Sequence, residues 1–264
     1  MQLDPAARQI LQRQADYSSP RLTSLGQPVT LYAEVAPWQR VAKRVADIVI
    51  SAVALCFFGL ALPILALLIK LDSRGPVFYS QTRVGINRRS RDRRRKAAYP
   101  DDVERRCSEG SSDRRHLLAE GRPFTIHKLR TMYVDAESDG VRWAQTGDPR
   151  ITRVGAFLRK SRLDEFPQFW NVLLGDMSVV GPRPERPPFI TLLSAEVPGY
   201  LDRLRFKPGI TGLSQVEVGY DTSVESVEQK VAHDLEYIIH FSLWRDVKIL
   251  MKTFGVVLTG KGAC

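Results

Sequence analysis

The chain has 264 residues, 39 lysines and arginines against 29 acidic residues, and a formal net charge of +10. Hydrophobic residues make up 44% and charged residues 26%, so a sizeable core is available and an intrinsically disordered chain is excluded. The basic excess points to anionic partners such as phosphates or an anionic membrane leaflet, while three scattered cysteines exclude a disulfide framework or a zinc site.

Residues 1–38 are polar and nearly balanced in charge, and read as an N-terminal arm. From Ile48 to Ile69 the sequence IVISAVALCFFGLALPILALLI runs 22 residues without a charge. A straight helix of that length is ~33 Å long, enough for a hydrocarbon core of ~30 Å. Pro63 inside the run removes a backbone donor and predicts a kink or break. Arg40, Lys43 and Arg44 precede the run, and Lys70 and Arg74 follow it. Basic flanks stay on the cytoplasmic side, so the charges favour a segment that enters the membrane, breaks near Pro63 and returns. Residues 39–74 are therefore expected to form a re-entrant membrane helix-break-helix, and residues 75–264 a separate domain.

Residues 75–87 carry short strand-like runs. Residues 88–121 then form a charged insertion, in which Arg88 to Lys96 holds seven basic residues and one acidic residue. It reads either as a solvated loop or as a surface that grips anionic headgroups. Nucleic-acid binding is not expected, since interleaved aromatics and a recognisable module are missing. PFTIHKLRTMYV (123–134) predicts a strand leading into a helix. Residues 149–160 predict an amphipathic helix with Val154, Phe157 and Leu158 on one face, and a second helix is expected from Leu163 to Leu174, ended by Gly175 and Asp176. A helical stretch near 184–196, the loop KPGITG (207–212) and two amphipathic helices near 224–240 and 243–258 complete the chain. The last two suit either the core or the membrane surface. The fold class expected is an α-rich α+β domain.

The stretch RKSRLDEFPQFWNVLLGDMSVVGPRPE (159–185) concentrates reactive groups. Asp164 and Glu165 are adjacent acids at an expected helix start, with Arg159, Lys160 and Arg162 upstream. Helix dipole and cations both favour ionised carboxylates there. An ionised Asp is able to attack phosphorus, and two neighbouring acids are able to hold a hard cation such as Mg²⁺. The same spacing also fits a simple capping box from Ser161. Arg183, fixed between Pro182 and Pro184, is either a pre-positioned phosphate ligand or part of a rigid turn. Lys128 and Arg130 add cations where the expected strand ends, and the glycines of KPGITG allow either close approach to a ligand or a tight loop.

These motifs, taken in order, resemble the monotopic polyprenyl-phosphate phosphoglycosyl transferases, the bacterial sugar transferase family. The resemblance runs from about residue 40 to 262 with 88–121 set aside. It rests on the apolar segment led by Lys43 and Arg44, QTRVG, PFTIHKLRTM, DPRITRVGAFLRKSRLDEFPQFWNVLLGDMSVVGPRP, KPGITGLSQV and the closing GKGA. It implies transfer of a sugar-1-phosphate from a UDP-sugar to undecaprenyl or another polyprenyl phosphate, with Asp164 as nucleophile and release of UMP. Glu165 is then the partner of the dyad, Mg²⁺ sits at Asp164 and Glu165, and Lys128, Arg159 and Arg183 bind substrate phosphates. The resemblance further implies a catalytic domain facing the cytoplasm at the bacterial inner membrane, contact with membrane lipids, a compact catalytic unit and a hexose donor of exopolysaccharide synthesis. A homo-oligomer is left open. Leu62-Pro63 stands where the family often has Ser-Pro, and Lys207 where arginine is common. A non-catalytic membrane adaptor and a glycosyltransferase releasing UDP are the competing readings.

Overall fold

A computed structural model describes residues 35–86, 121–136, 138, 147–197, 199–218 and 224–259. The expected N-terminal arm before residue 35, the insertion and the closing GKGA lie outside these residues. The described chain is helix-rich, with one long apolar helix and two small sheets.

Helix α1 (Pro37–Asp72) opens with Pro37 in its first turn, where the missing N–H costs nothing. It passes through Pro63 without a non-helical residue, so the expected break does not take the form of a gap in the helix. Helical geometry on either side is maintained over 36 residues, and a proline removes only one of its ladder bonds. One face of α1 is dry against the rest of the protein. Lys43, Asp47, Ser51, Phe58, Leu65 and Ile69 are buried along it. The opposite face is apolar and uncovered: Phe57 is 68% and Leu60 78% exposed. A stripe of this size belongs in lipid rather than water. Among the described residues it is the one helix long and apolar enough to cross a membrane.

The buried face is polar at its start. Lys43 Nζ donates to Asp246 Oδ2 at 2.6 Å and to the Val180 carbonyl at 3.0 Å. Asp47 Oδ1 accepts from the Ser178 hydroxyl and the Val179 N–H, each at 2.9 Å. Arg44 donates to the carbonyls of Val172 and Leu173. At the far end, Asp72 accepts from the Val154 N–H at 2.9 Å, and Arg130 donates to the carbonyls of Ile69, Ser73 and Arg74. Both ends of α1 are thus tied to the same globular unit.

Strands β1 (Phe78–Val84) and β2 (Pro123–Leu129) pair antiparallel, with Tyr79 opposite Lys128. β2 does not lead into the expected helix. The chain continues as coil to an isolated bridge between Met132 and Ile151. Helix α2 (Arg153–Lys160) is capped by Thr152, whose side chain accepts from the Gly155 N–H. A Cβ at Gly155 would stand 2.1 Å from the Thr131 carbonyl oxygen, so only glycine lets this helix sit against the end of β2. Leu158 is fully buried, but Phe157 is 58% exposed, contrary to the expected shared face.

The expected helix from Leu163 to Leu174 is two elements. Leu163–Gln168 is a 3-10 turn, and α3 (Phe169–Leu174) follows, closed by Gly175 at φ 88° as anticipated. Ser161 donates to the Phe157 and Leu158 carbonyls behind it, so it does not form the capping box. Beyond α3 come β3 (Ser178–Val180), α4 (Pro187–Glu196), a 3-10 turn (Tyr200–Arg205) and β4 (Gly209–Thr211), which pairs parallel with β3. Helices α5 (Leu213–Glu217), α6 (Val224–Ile239) and α7 (Leu243–Thr259) end the described chain.

Two apolar clusters hold these elements. The larger joins Val84, Ile126, Met177, Val180, Ile190, Tyr200, Phe206 and Tyr237 with the inner faces of α6 and α7. The smaller seats Phe58, Leu65 and Ile69 of α1 on Leu129 and Leu158, with Phe166 stacked on Phe58 at 6.0 Å between centroids. The glycines of KPGITG serve this packing. A Cβ at Gly209 would meet the Gly181 nitrogen at 2.1 Å, so the loop approaches the backbone at Gly181 rather than a ligand.

Breaking the pair at the start of α1 strands a buried carboxylate. Lys43→Met should lower stability by about 3–5 kcal/mol, read as a large fall in melting temperature in detergent, whereas the exposed Val49→Ala should leave it nearly unchanged.

Candidate active site

The chain enters the site through Arg162, the one non-glycine among the described residues with positive φ, at 58°. A left-handed arginine costs about 1–2 kcal/mol, and it turns the chain from the end of α2 into the 3-10 segment. That segment places Asp164 and Glu165, each 7% exposed, at the floor of a cleft of about 420 Å³. Pro167, within the same turn, has no N–H to give to an α-helical ladder.

Lys128 and Arg183 reach the same atom from two directions. Lys128 Nζ, on β2, donates to Glu165 Oε1 at 2.9 Å, and Arg183 NH2 donates to that oxygen at 2.8 Å. Arg183 is held by a segment whose carbonyls are all engaged. Pro182 O accepts from Gly209 N–H, Arg183 O from Arg203, Pro184 O from Arg83, and Glu185 O from Val84 N–H. The flanking prolines donate nothing and restrict the backbone, so the loop is fixed by what it accepts. Arg159, in the last turn of α2, donates through Nε to Thr131 Oγ1 at 3.0 Å.

All five residues singled out from the sequence, Lys128, Arg159, Asp164, Glu165 and Arg183, line this one cleft. It also receives Arg83, Arg130, Arg150, Arg162 and Arg186, and the aromatic rings of Phe78, Tyr79 and Tyr133. Arg83 lay inside the motif QTRVG without a role being legible. Arg162 was read only as an upstream cation, because its backbone conformation leaves no mark on the sequence.

The two acids are not equivalent. Burial pushes the Asp164 carboxyl up to about 6, with Lys128 pulling it down and Glu165 pushing it further up. Burial also opposes ionisation of Glu165, but Arg183 and Lys128 outweigh it and hold that carboxyl well below the ordinary range. The expectation that both carboxylates are simply favoured as ions therefore needs correction for Asp164: a short 3-10 turn replaces the helix start, and desolvation exceeds the help from cations. Burial lowers the Lys128 ammonium from its ordinary value, and Glu165 opposes that. The result is a fixed carboxylate, Glu165, beside an acid that ionises close to neutrality. Groups with such divided behaviour in a cleft are suited to acid–base or nucleophilic work.

Among the described residues no group of three or more His, Cys, Asp or Glu side chains is placed to hold a metal. Two adjacent carboxyls remain, and Glu165 meets both its cations through Oε1 alone. Oε2 and the Asp164 carboxyl fit Mg²⁺, which takes one or two carboxylates and completes its octahedron with water and substrate phosphate oxygens.

The profile of the family described as bacterial sugar transferase matches residues 38–93 and 112–260, spanning α1, both sheets and the Asp164–Glu165 turn. The chain belongs to the bacterial sugar transferase family. Between the two matched stretches, residues 94–111 are left unmatched. Over 221 residues, 84% of this chain, it is 40% identical to a UDP-N-acetylgalactosamine-undecaprenyl-phosphate N-acetylgalactosaminephosphotransferase of Aeromonas hydrophila, covering 44% of that protein. It is 40% identical over 233 residues to a UDP-glucose:undecaprenyl-phosphate glucose-1-phosphate transferase of Caulobacter vibrioides, covering 75% of it. A protein of the same name from Escherichia coli is 37% identical over 216 residues, with 39% of it covered. The chain thus spans less than half of two of these relatives and three quarters of the third.

In the ligand-free protein the Asp164 carboxyl should titrate near pH 6, followed by carboxyl infrared or ¹³C signals, and Asp164→Asn should remove that transition. Its raised value means that Asp164 favours the folded state at low pH, a contribution lost as pH rises through about 6.

Proposed function

We propose that the chain transfers a sugar-1-phosphate from a UDP-sugar to polyprenyl (undecaprenyl) phosphate through a covalent intermediate on Asp164. The observation that carries this reading is an ionisable Asp164 set beside Glu165, which Lys128 and Arg183 clamp, in a cleft rich in arginine. The family and the printed names of the relatives support it.

In the first half-reaction a carboxylate oxygen of Asp164 attacks the β-phosphorus of the donor. An acyl–phosphate bond forms, the phosphoanhydride bond breaks, and UMP departs with the bonding electrons. In the second, an oxygen of polyprenyl phosphate attacks the same phosphorus. The acyl–phosphate bond breaks, Asp164 returns as a carboxylate, and the polyprenyl-diphospho-sugar leaves. Glu165 keeps Lys128 and Arg183 in register, and these cations with Arg159 offset the charge that gathers as anions approach one another. Asp164 and Glu165 would hold Mg²⁺, which when bound neutralises diphosphate charge and orients it. The donor sugar is proposed to be a hexose or its N-acetylated form, as in the relatives' names.

The arrangement of α1 supports a re-entrant placement at the cytoplasmic face of the inner membrane. Lys43 at one end and Asp72 at the other are bonded to the same globular unit, which stays on one side of a bilayer. The exposed rings of Trp38, Phe157, Trp170 and Trp244 and the bare face of α1 supply an interfacial surface.

Asp164→Asn should reduce UMP release with polyprenyl phosphate present to below about a thousandth of wild type. Wild-type protein given donor alone should gain the mass of one phospho-sugar on residue 164. Release of UDP in place of UMP would establish the glycosyltransferase reading instead. The wild-type kcat/KM should fall as pH drops through about 6, where Asp164 takes up a proton. Single cysteines at positions 38 and 74 should both resist impermeant reagents added outside intact cells; labelling of either one would make α1 a span.

A further inference from the structure

Behind the cleft lies a charged pair that contacts neither acid of the dyad. Arg203, in the 3-10 turn Tyr200–Arg205, is 5% exposed, and Asp234, on α6, is 1% exposed. Their charged groups stand 2.7 Å apart. Asp234 Oδ1 also accepts from the Ser214 hydroxyl of α5 at 2.7 Å, and the Arg203 guanidinium stands 5.3 Å from the centre of the Tyr200 ring. Tyr200 and Leu204 on the 3-10 turn, and Val227, Val231 and Leu235 on α6, are buried on the two elements that carry the pair. Taking two charges into the interior carries a desolvation cost that their attraction need not repay. Apolar side chains of similar volume would fill the space at less cost. Packing alone does not account for the pair.

What an apolar pair would not supply is a donor. Arg203 NH2 gives a hydrogen bond to the carbonyl oxygen of Arg183 at 3.0 Å. Arg183 cannot be held at that point by its neighbours, since Pro182 and Pro184 have no N–H to offer. The other carbonyls of the loop are met by β4 and β1, and the one at Arg183 is met by Arg203 of the 3-10 turn, which is paired with Asp234 of α6. The same residue then extends its guanidinium to Glu165. Asp234 in turn keeps Arg203 in place, and Ser214 orients Asp234.

We propose that Ser214, Asp234 and Arg203 form a positioning relay that fixes the backbone of Arg183, and through it the side chain that grips Glu165, for the transfer reaction. This rests on the proposed use of the Asp164–Glu165 cleft and adds three residues from outside it. A displacement of about 1 Å at such a group is enough to cost on the order of a hundredfold in rate. The relay therefore acts on kcat/KM through Arg183 and on nothing else in the site.

The test is a mutant cycle on the full chain in detergent or native membrane. It compares wild type, Arg183→Ala, the pair replacement Arg203→Met with Asp234→Leu, and the three changes together. Melting temperature, kcat and KM are measured for each. The pair replacement is expected to melt close to wild type, to lose tenfold or more in kcat/KM, and to divide that loss between kcat and KM as Arg183→Ala does. On top of Arg183→Ala it should cost less than twofold. Wild-type kcat/KM in the folded pair replacement would overturn the relay, and so would a loss that multiplies in full with that of Arg183→Ala. If the pair replacement does not fold, Ser214→Ala is read in the same cycle; it leaves both charges and removes one hydrogen bond. It should lose about threefold, again absent without Arg183, and an unchanged or independent effect overturns the relay. Rates are scored on whichever nucleotide the wild type releases. UDP in place of UMP would thus refute the covalent reading and leave the relay measurable.

Discussion

A single carboxylate oxygen, Oε1 of Glu165, receives both Lys128 from the sheet and Arg183 from the loop beyond β3. Three separately built parts of the chain meet at that atom: the β1–β2 hairpin, the 3-10 turn after α2, and the segment joining β3 to α4. Each part is fixed by its own means. The hairpin is set by strand register, the turn by a left-handed Arg162 and Pro167, and the loop by four engaged carbonyls. Glu165 is thereby committed to holding charge and cannot serve as a proton store. Its neighbour, left with burial as its dominant influence, is the group whose protonation changes near neutral pH. Division of labour between two adjacent acids follows from which of them the cations reach.

Much of this was legible in the sequence, and the limits have physical reasons. The apolar run of α1, the strands near 78–84 and 123–129, the stop at Gly175 and the last two helices follow from periodicity and turn residues. The dyad and the cations Lys128, Arg159 and Arg183 were picked out by charge type, proline bracketing and resemblance, and they share one cleft. Splitting of the Leu163–Leu174 segment was not legible, because the preference for 3-10 geometry there depends on Arg162 adopting positive φ, which composition does not announce. Phe157 was placed on one face with Val154 and Leu158 from its spacing, but it is exposed among the described residues. The Arg203–Asp234 pair was invisible, since its members lie far apart in sequence and ordinary surface readings fit each of them.

The long helix carries a tension between two environments. Its outer face suits hydrocarbon, whereas its inner face presents Lys43, Arg44, Asp47 and Ser51 to protein. A charged group facing lipid would be costly, so this face fixes the rotation of the helix about its axis. The polar contacts near Lys43 and the apolar ones near Phe58 and Leu65 together set the depth at which the cleft rides. No residue lining the cleft lies on α1, yet the height of the cleft along that helix is decided by these contacts.

Lys43 and Asp246 are separated by 203 positions in the chain. During synthesis at roughly 5–20 residues per second, the apolar helix emerges some ~10–40 s before the carboxylate that neutralises its lysine exists. Until then the ammonium must remain in contact with water or headgroups. Full seating of the first helix is therefore a late event that waits for α7, which carries Asp246. A ribosome stalled before Asp246 would hold a chain whose cleft residues, all before residue 190, are already made while the carboxylate that seats its first helix is still missing.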